Sequence, residues 1–210
     1  MKQTLSTQGL ILRTAPTSES FLKIDVLCPE NGVQLCLKRI SKKQPQKDSP
    51  ELFDTAELTL ENSKQGTFQF ISEYRVANRR VAIGNSYRTL KYTSDFCALI
   101  AKNGPHMADS ENLYLLTERT LDAMAEGKAP SLVYLKAIYL LLKDEGYPVK
   151  ELWWASLSSE LRKTTRDYLN QPAPDKLEKE HVETVEHLNH RLNLWLRNET
   201  DLQLPASITL

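Results

Sequence analysis

Cysteine is scarce in this 210-residue chain: Cys28, Cys36 and Cys97 are the only three, with no CxxC pair and no histidine at zinc spacing. No disulfide framework or zinc site is expected from them, and they read as reduced, mostly buried thiols. An excess of one charge is missing too. The 27 Lys and Arg balance 27 Asp and Glu, giving a pI near 6.9. Attraction of the whole molecule to a polyanion is therefore not expected, and any nucleic-acid binding must come from charge gathered on one face. No apolar run approaches the roughly 20 residues that cross a bilayer. Nor do Met1, Lys2, Gln3 and Thr4 lead into a signal-peptide core. The expectation is a soluble, cytoplasmic chain with no membrane partner.

Catalytic signatures are also lacking: there is no P-loop, GxGxxG, HExxH or GxSxG. His181 and His187 are six apart and fall on different helical faces. Only His187 and His190 could share a metal, and a solvated helix face accounts for them. Glu178 and Glu180 lie on a strongly charged segment where solvation and i,i+4 pairing suffice. No enzyme activity, cofactor or metal is expected.

What is present begins with length and apolar content. At 40% apolar and 26% charged residues, the chain can build one medium core or two small ones. Between Gly9 and Lys43 three apolar-rich runs are joined by turn signals. The first is 9–14, followed by Pro16, Thr17 and Ser18, and the second is 21–28. Pro29, Asn31 and Gly32 then reverse the chain into 33–38, where Val33, Leu35 and Leu37 alternate with Gln34, Cys36 and Lys38. That is a three-stranded antiparallel meander, ending in Lys38 and Arg39. A polar, proline-bearing loop follows, then a strand over 53–61 and another over 67–76 carrying Phe68, Phe70, Tyr74 and Val76. Five short strands in this span predict a small OB-type barrel over residues 1–80. A β-sandwich of similar size fits the same pattern.

From Val81 the apolar period changes from two to about 3.6. Tyr87, Leu90, Phe96 and Ile100 predict a helix that stops at Asn103-Gly104-Pro105. A second helix starts at Asp109 or Ser110 and stops at Gly127, and a third opens on Pro130 and ends at Gly146 and Pro148. An apolar patch with Trp153 and Trp154 comes next, read as core, with a partner anchor as the alternative. Further helices are predicted over 159–170 and about 174–197. Residues 81–210 are thus an α-helical bundle domain, and the fold class is α+β.

Cations are placed unevenly. Residues 1–80 carry twelve Lys or Arg against nine acids, while 81–210 carry fifteen against eighteen. Lys38, Arg39, Lys42, Lys43 and Lys47 fall within ten positions with no carboxylate between them. Arg75, Arg79 and Arg80 end the fifth strand, and Arg88 and Lys91 open the helical part. If these groups converge on one side of a barrel, they form a phosphate-binding face, with Phe68, Phe70 or Tyr74 able to stack unpaired bases. A non-catalytic protein adaptor is the competing reading, and a small-molecule enzyme a distant third.

The stretch GLILRTAPTSESFLKIDVLCPENGVQLCLKRISKK resembles the opening of the bacterial RecO family of DNA repair proteins. The resemblance is carried by Leu12, Arg13, Glu19, Ser20, Glu30, Gly32, Lys38 and Lys42. Residues 121–149, ending in Gly146-Tyr147-Pro148, are similar to that family's helical domain, so the likeness spans about 6–150. Two positions depart from it: Arg39 stands where the family commonly has Gly, and the four-cysteine zinc module after Gly146-Tyr147-Pro148 is absent. The resemblance implies a recombination mediator that binds single- and double-stranded DNA and anneals complementary strands. With RecR, such a mediator helps RecA load onto DNA coated by single-stranded DNA-binding protein. It implies a nucleoid association and adds Arg13 to the DNA-binding residues. It further implies a basic-edged apolar pocket, on the helical domain, for the acidic C-terminal tail of single-stranded DNA-binding protein; the sequence alone names no residue of it.

Overall fold

The computed structural model describes residues 4–18, 20–40, 49–63 and 68–206. Five strands come first: β1 (Thr4–Ser18), β2 (Phe21–Cys28), β3 (Gly32–Arg39), β4 (Thr55–Asn62) and β5 (Gln69–Asn78). Five α-helices follow among the described residues: α1 (Tyr87–Asn103), α2 (Ser110–Ala125), α3 (Pro130–Asp144), α4 (Ser159–Asn170) and α5 (Lys179–Glu199). The protein is α+β, with a five-stranded sheet ahead of its helices. It divides into two compact units. One is Met1–Arg80 with Cys97–Leu115, and the other is Val81–Phe96 with Leu116–Leu210. The segment 97–115, expected with the bundle, therefore groups with the strands.

In the first unit the sheet closes on itself in the order β1-β2-β3-β5-β4. All neighbours are antiparallel except β3 and β5, which run parallel where Cys36 meets Gln69 and Leu37 meets Phe70. The reversal between β2 and β3 needs one left-handed residue, and Gly32 supplies it at φ +64. Pro16 and Thr17, expected in a turn, lie inside β1. The ladder to β2 shifts register between Ile11 and Arg13 and again between Pro16 and Ser18, and such irregularities accept a proline that an unbroken central ladder would not.

Ile11, Ile24, Val26, Cys28, Cys36, Ala56, Leu58, Leu60, Ile71 and Tyr74 fill the barrel. The alternation in β3 alone does not say which of its sides is the inner one. Leu35 is 37% exposed, whereas Cys36 is fully buried and Lys38 is 9% exposed. The cause lies in β2. Its alternation of Leu22, Ile24, Val26 and Cys28 with Phe21, Lys23 and Asp25 is unambiguous, and directly opposed residues share a face. Cys36 faces Ile24 and Lys38 faces Leu22, while Leu35 and Leu37 oppose Asp25 and Lys23 on the outside. In β5 a register shift opposite Thr59 and Leu60 changes which positions point inward. Ile71, Tyr74 and Val76 consequently pack inside, and Phe70 lies outside. Helical residues of the same unit dock on the barrel: Ser110 Oγ donates to the Pro29 carbonyl at 2.7 Å, and the Tyr114 hydroxyl donates to Gln8 Oε1 at 3.3 Å.

In the second unit α3 packs against α5, where Asn189 Nδ2 donates to the Ser131 carbonyl at 2.8 Å. Pro130 occupies the first turn of α3, and Ser158 caps α4 by accepting from the Leu161 N–H. The last helix starts at Lys179 rather than near Pro174. Pro174 is instead held by its carbonyl, which accepts from the Ala129 N–H at 2.8 Å. Trp153 is buried and Trp154 only half-buried, with Tyr139 6.0 Å and 6.4 Å from their ring centres.

Candidate nucleic-acid interface

The outer wall of β2, β3 and β5 follows directly from the strand register. Because Ile24, Val26 and Cys36 fill the interior, the intervening positions face out. Phe21 stands opposite Arg39, Lys23 opposite Leu37, and Leu37 beside Phe70. The Phe21 and Phe70 ring centres are 6.1 Å apart, and Phe68 meets Phe70 edge-on at 5.2 Å. All three rings are half-buried, while Lys23, Arg39 and Ile40 are exposed. One row further, Arg13 Nε lies 3.8 Å from Asp25 Oδ2. Burial raises the Asp25 pKa above its ordinary value, against the lowering pull of Arg13 and Lys23.

The cations expected to share one face are used in different ways. Lys38 points into the barrel, and burial lowers its pKa. Arg75 pairs with Glu57 at 2.6 Å. Arg79 binds Asp54 through two hydrogen bonds and also reaches Glu51 and the Ser49 carbonyl. Arg80 is buried and donates to the Phe53 carbonyl and Thr55 Oγ1 at 2.8 and 2.9 Å. Arg88 and Lys91 belong to the second unit, where Arg88 pairs with Glu186 and Lys91 with Asp95 at 2.8 Å. Lys42, Lys43 and Lys47 lie outside the described residues. Arg39 has no ion-pair partner among the described residues and stands at the end of β3, where the lysine-rich segment begins.

The stacking candidates divide as well. Phe68 and Phe70 remain on the wall. Tyr74 is inside the barrel with its hydroxyl donating to Asp54 Oδ2 at 2.7 Å, so it cannot stack a base. Phe21, which was not singled out from the sequence, joins them. Its alternation with Leu22 and Ile24 was the signal that placed it outside.

The second unit holds a cleft of about 860 Å³ between α3, α4 and the short helical turns at 149–156. Tyr139, Leu140, Tyr147, Val149, Trp154 and Leu169 form its apolar surface, and Lys136, Lys143, Lys150 and Arg166 its basic edge, with Glu151 the one acid among them. Lys136 is structural: its ammonium donates to the carbonyls of Tyr168, Leu169 and Gln171 and so caps the end of α4. Lys143, Lys150 and Arg166 make no ion pair with a described carboxylate. The Tyr147 hydroxyl donates to Asp201, and burial together with that bond pushes its pKa up to about 12. Among the described residues no three His, Cys, Asp or Glu side chains gather to hold a metal, and no helix is long and apolar enough to cross a membrane.

No protein-family model matches this chain, and no curated protein matches its sequence significantly.

Proposed function

We propose that this chain is a recombination mediator of the RecO type, acting without catalysis of its own. In this reading it binds single- and double-stranded DNA at the nucleoid, anneals complementary strands and, with RecR, helps RecA load onto DNA coated by single-stranded DNA-binding protein. The observation that carries the reading is a closed barrel whose third strand ends in Arg39, followed in the sequence by Lys42, Lys43 and Lys47 with no intervening acid. The strand order and the parallel β3–β5 contact suit an OB-type barrel, a fold that binds oligonucleotides on the strand 2–3 face. Arg39 and the lysines that follow it in the sequence neutralise phosphates and release counterions, and screening of this kind lets two like-charged strands approach. The basic-edged apolar cleft between α3 and α4 suits the acidic C-terminal tail of single-stranded DNA-binding protein. Apolar side chains of such a tail have Trp154 and Leu140 to pack on, and its carboxylates have Lys143, Lys150 and Arg166.

The test is fluorescence anisotropy of labelled single strands and duplexes over a salt series. Binding at low salt that weakens steeply with salt, and weakens again on charge reversal of Arg39, Lys42 and Lys43, is the expected result. No binding at low salt would remove the reading.

A protein adaptor is the second reading. It is favoured by the local pairing of Arg75, Arg79, Arg88 and Lys91, which leaves them little free charge. Partner capture that survives nuclease and high salt, from a protein that binds no DNA, would select it.

A further inference from the structure

We propose that the groove between α1 and α5 in the second unit holds an extended, uncharged peptide segment of a partner protein, gripped along its main chain by Asn189 and Asn193. The inference goes beyond the DNA-binding reading and does not depend on it. It concerns a hollow of about 490 Å³, lined by α1, α5 and Tyr134 of α3, that shares no residue with the cleft beside Trp154.

Two asparagines of α5 line this groove with their amides fixed in opposite senses. Asn189 uses its Nδ2 to donate to the Ser131 carbonyl at 2.8 Å. Its Oδ1 is left, buried and with no hydrogen-bond partner among the described residues. Asn193 uses its Oδ1 instead, accepting from the Tyr134 hydroxyl at 3.2 Å, and its Nδ2 is left. The groove therefore offers an acceptor and, one helical turn further on, a donor. Four residues of helix rise about 6 Å. Main-chain groups on one edge of an extended chain recur every second residue, at about 6.6–6.8 Å. A segment laid along α5 can thus turn an N–H to Asn189 and a C=O to Asn193 from the same edge. The N–H has the larger effect, because a buried acceptor without a donor is unfavourable.

Charge and spacing exclude the other ligands. The Lys, Arg, Asp and Glu side chains of the groove neutralise one another, Arg88 with Glu186 and Lys91 with the buried Asp95 at 2.8 Å. A polyanion, or the acidic tail assigned to the other cleft, finds no net attraction here. A nucleobase fits poorly too, since a single amide reads both polar atoms of a base edge, whereas these two amides stand a turn apart. Tyr87 at the mouth is 81% exposed and gives an apolar side chain of the segment a surface to pack on. Below it, the Tyr92 ring lies 5.1 Å from that of Tyr134 and 5.6 Å from Lys91 Nζ. The floor is set before any ligand arrives, which lowers the ordering cost of binding.

Random twelve-residue peptides displayed on phage are selected on the intact chain, with an acidic, apolar C-terminal peptide in excess to occupy the other cleft. Synthetic copies of the enriched peptides are then measured by calorimetry on the wild type and two variants. Asn193→Asp keeps the acceptor for Tyr134 and removes the donor, while Tyr87→Ala removes an exposed ring. Each is expected to weaken binding about tenfold. Methylating the peptide's main-chain nitrogens one at a time should give a loss of similar size at one position, which tests Asn189 without altering it. The side-chain amide signals of Asn189 and Asn193 in the unaltered protein should also shift when peptide is added, a readout that needs no variant to fold. DNA binding should be the same for all three proteins.

No enrichment of any peptide on the wild type, equal affinity for the wild type and both variants, or binding that survives every methylation would overturn the groove proposal and leave the DNA reading intact. A wild type that binds such peptides and no DNA would overturn only the DNA reading. Concentration-dependent self-association lost in Tyr87→Ala would show that the groove takes a second copy, and would overturn the proposal as well.

Discussion

The guanidinium of Arg79 closes on the carboxylate of Asp54 from two sides, Nε donating to Oδ1 at 3.0 Å and Nη2 to Oδ2 at 2.8 Å, although the residues stand 25 positions apart. Asp54 is fully buried and Arg79 is 29% exposed. The same carboxylate accepts from the Tyr74 hydroxyl and from the Glu51 N–H at 3.1 Å. This hub holds the segment ahead of β4, where Phe53 adopts φ 70 and is clamped because its N–H donates to the Ile11 carbonyl at 2.9 Å. A left-handed aromatic residue costs about 1–3 kcal/mol and persists only where neighbours enforce it. Asp54→Ala would take the shared acceptor from Arg79 and Tyr74, leaving Arg79 only Glu51 and the Ser49 carbonyl, and should destabilise the protein by about 3–5 kcal/mol in urea unfolding. Arg79→Ala should lower stability in the same assay more than it weakens DNA binding. The reverse ranking would return Arg79 to the interface.

Lys38 gives a pH test. Burial lowers its pKa in the folded protein from the ordinary 10.5. Between the folded and unfolded values the unfolded chain holds more protons, so this residue's contribution makes stability rise with pH through that window. Lys38→Met should stabilise the protein at neutral pH by about 1 kcal/mol, since a buried charge with no ion-pair partner among the described residues is unfavourable. That advantage should shrink as pH climbs toward 10.5. A constant difference between the two proteins from neutral to alkaline pH would show that the ammonium reaches water.

Gly9 lies inside β1 where the barrel leaves no room for a side chain. A Cβ there would sit 2.4 Å from Val26 Cγ1 and 2.8 Å from Leu58 Cδ1. Gly9→Ala should therefore cost about 1–3 kcal/mol as the core is overpacked. An unchanged denaturation midpoint would mean that Val26 and Leu58 rearrange freely.

Cys28, Cys36 and Cys97 are buried, and burial pushes each thiol up to about 12. The thiolate is the reactive form, so native protein near pH 8 should react slowly with a chromogenic disulfide reagent. Unfolded protein should react at all three positions. Rapid native labelling of even one thiol would contradict this burial.

Lys143→Glu with Lys150→Glu should weaken binding of an acidic, apolar C-terminal peptide roughly tenfold in calorimetry, since an exposed ion pair contributes up to about 1 kcal/mol. The effect should fade at high salt. Tyr139→Ala should weaken the same peptide without changing the salt dependence. A peptide that ignores all three substitutions binds elsewhere.

The segmentation of the chain was legible wherever local chemistry punctuates it. The expected strand over 21–28 has the bounds of β2, the expected helix over 159–170 those of α4, and Pro130 opens α3 as anticipated. Turns and caps are decided within a few residues, so a single sequence carries them. The candidate site was legible only as an inventory. Lys38 to Lys47 and the pair Phe68 and Phe70 stood out, whereas Tyr74 and Phe21 took places the inventory did not assign. The cleft beside Trp154 was also out of reach, because its wall comes from α3, α4 and a turn that meet only in three dimensions.

The amino-acid order alone determined five strands before five helices, a cationic exit from β3 and a chain without excess charge, since each is a property of composition or of near neighbours. Tertiary structure decided which side of β3 faces inward and which cations remain unpaired. Barrel closure couples β3 to the stronger alternation of β2, a shift in the β4–β5 ladder changes the facing of β5, and carboxylates distant in sequence engage Arg75 and Arg79. Those outcomes depend on contacts between distant segments, and only folding brings them together.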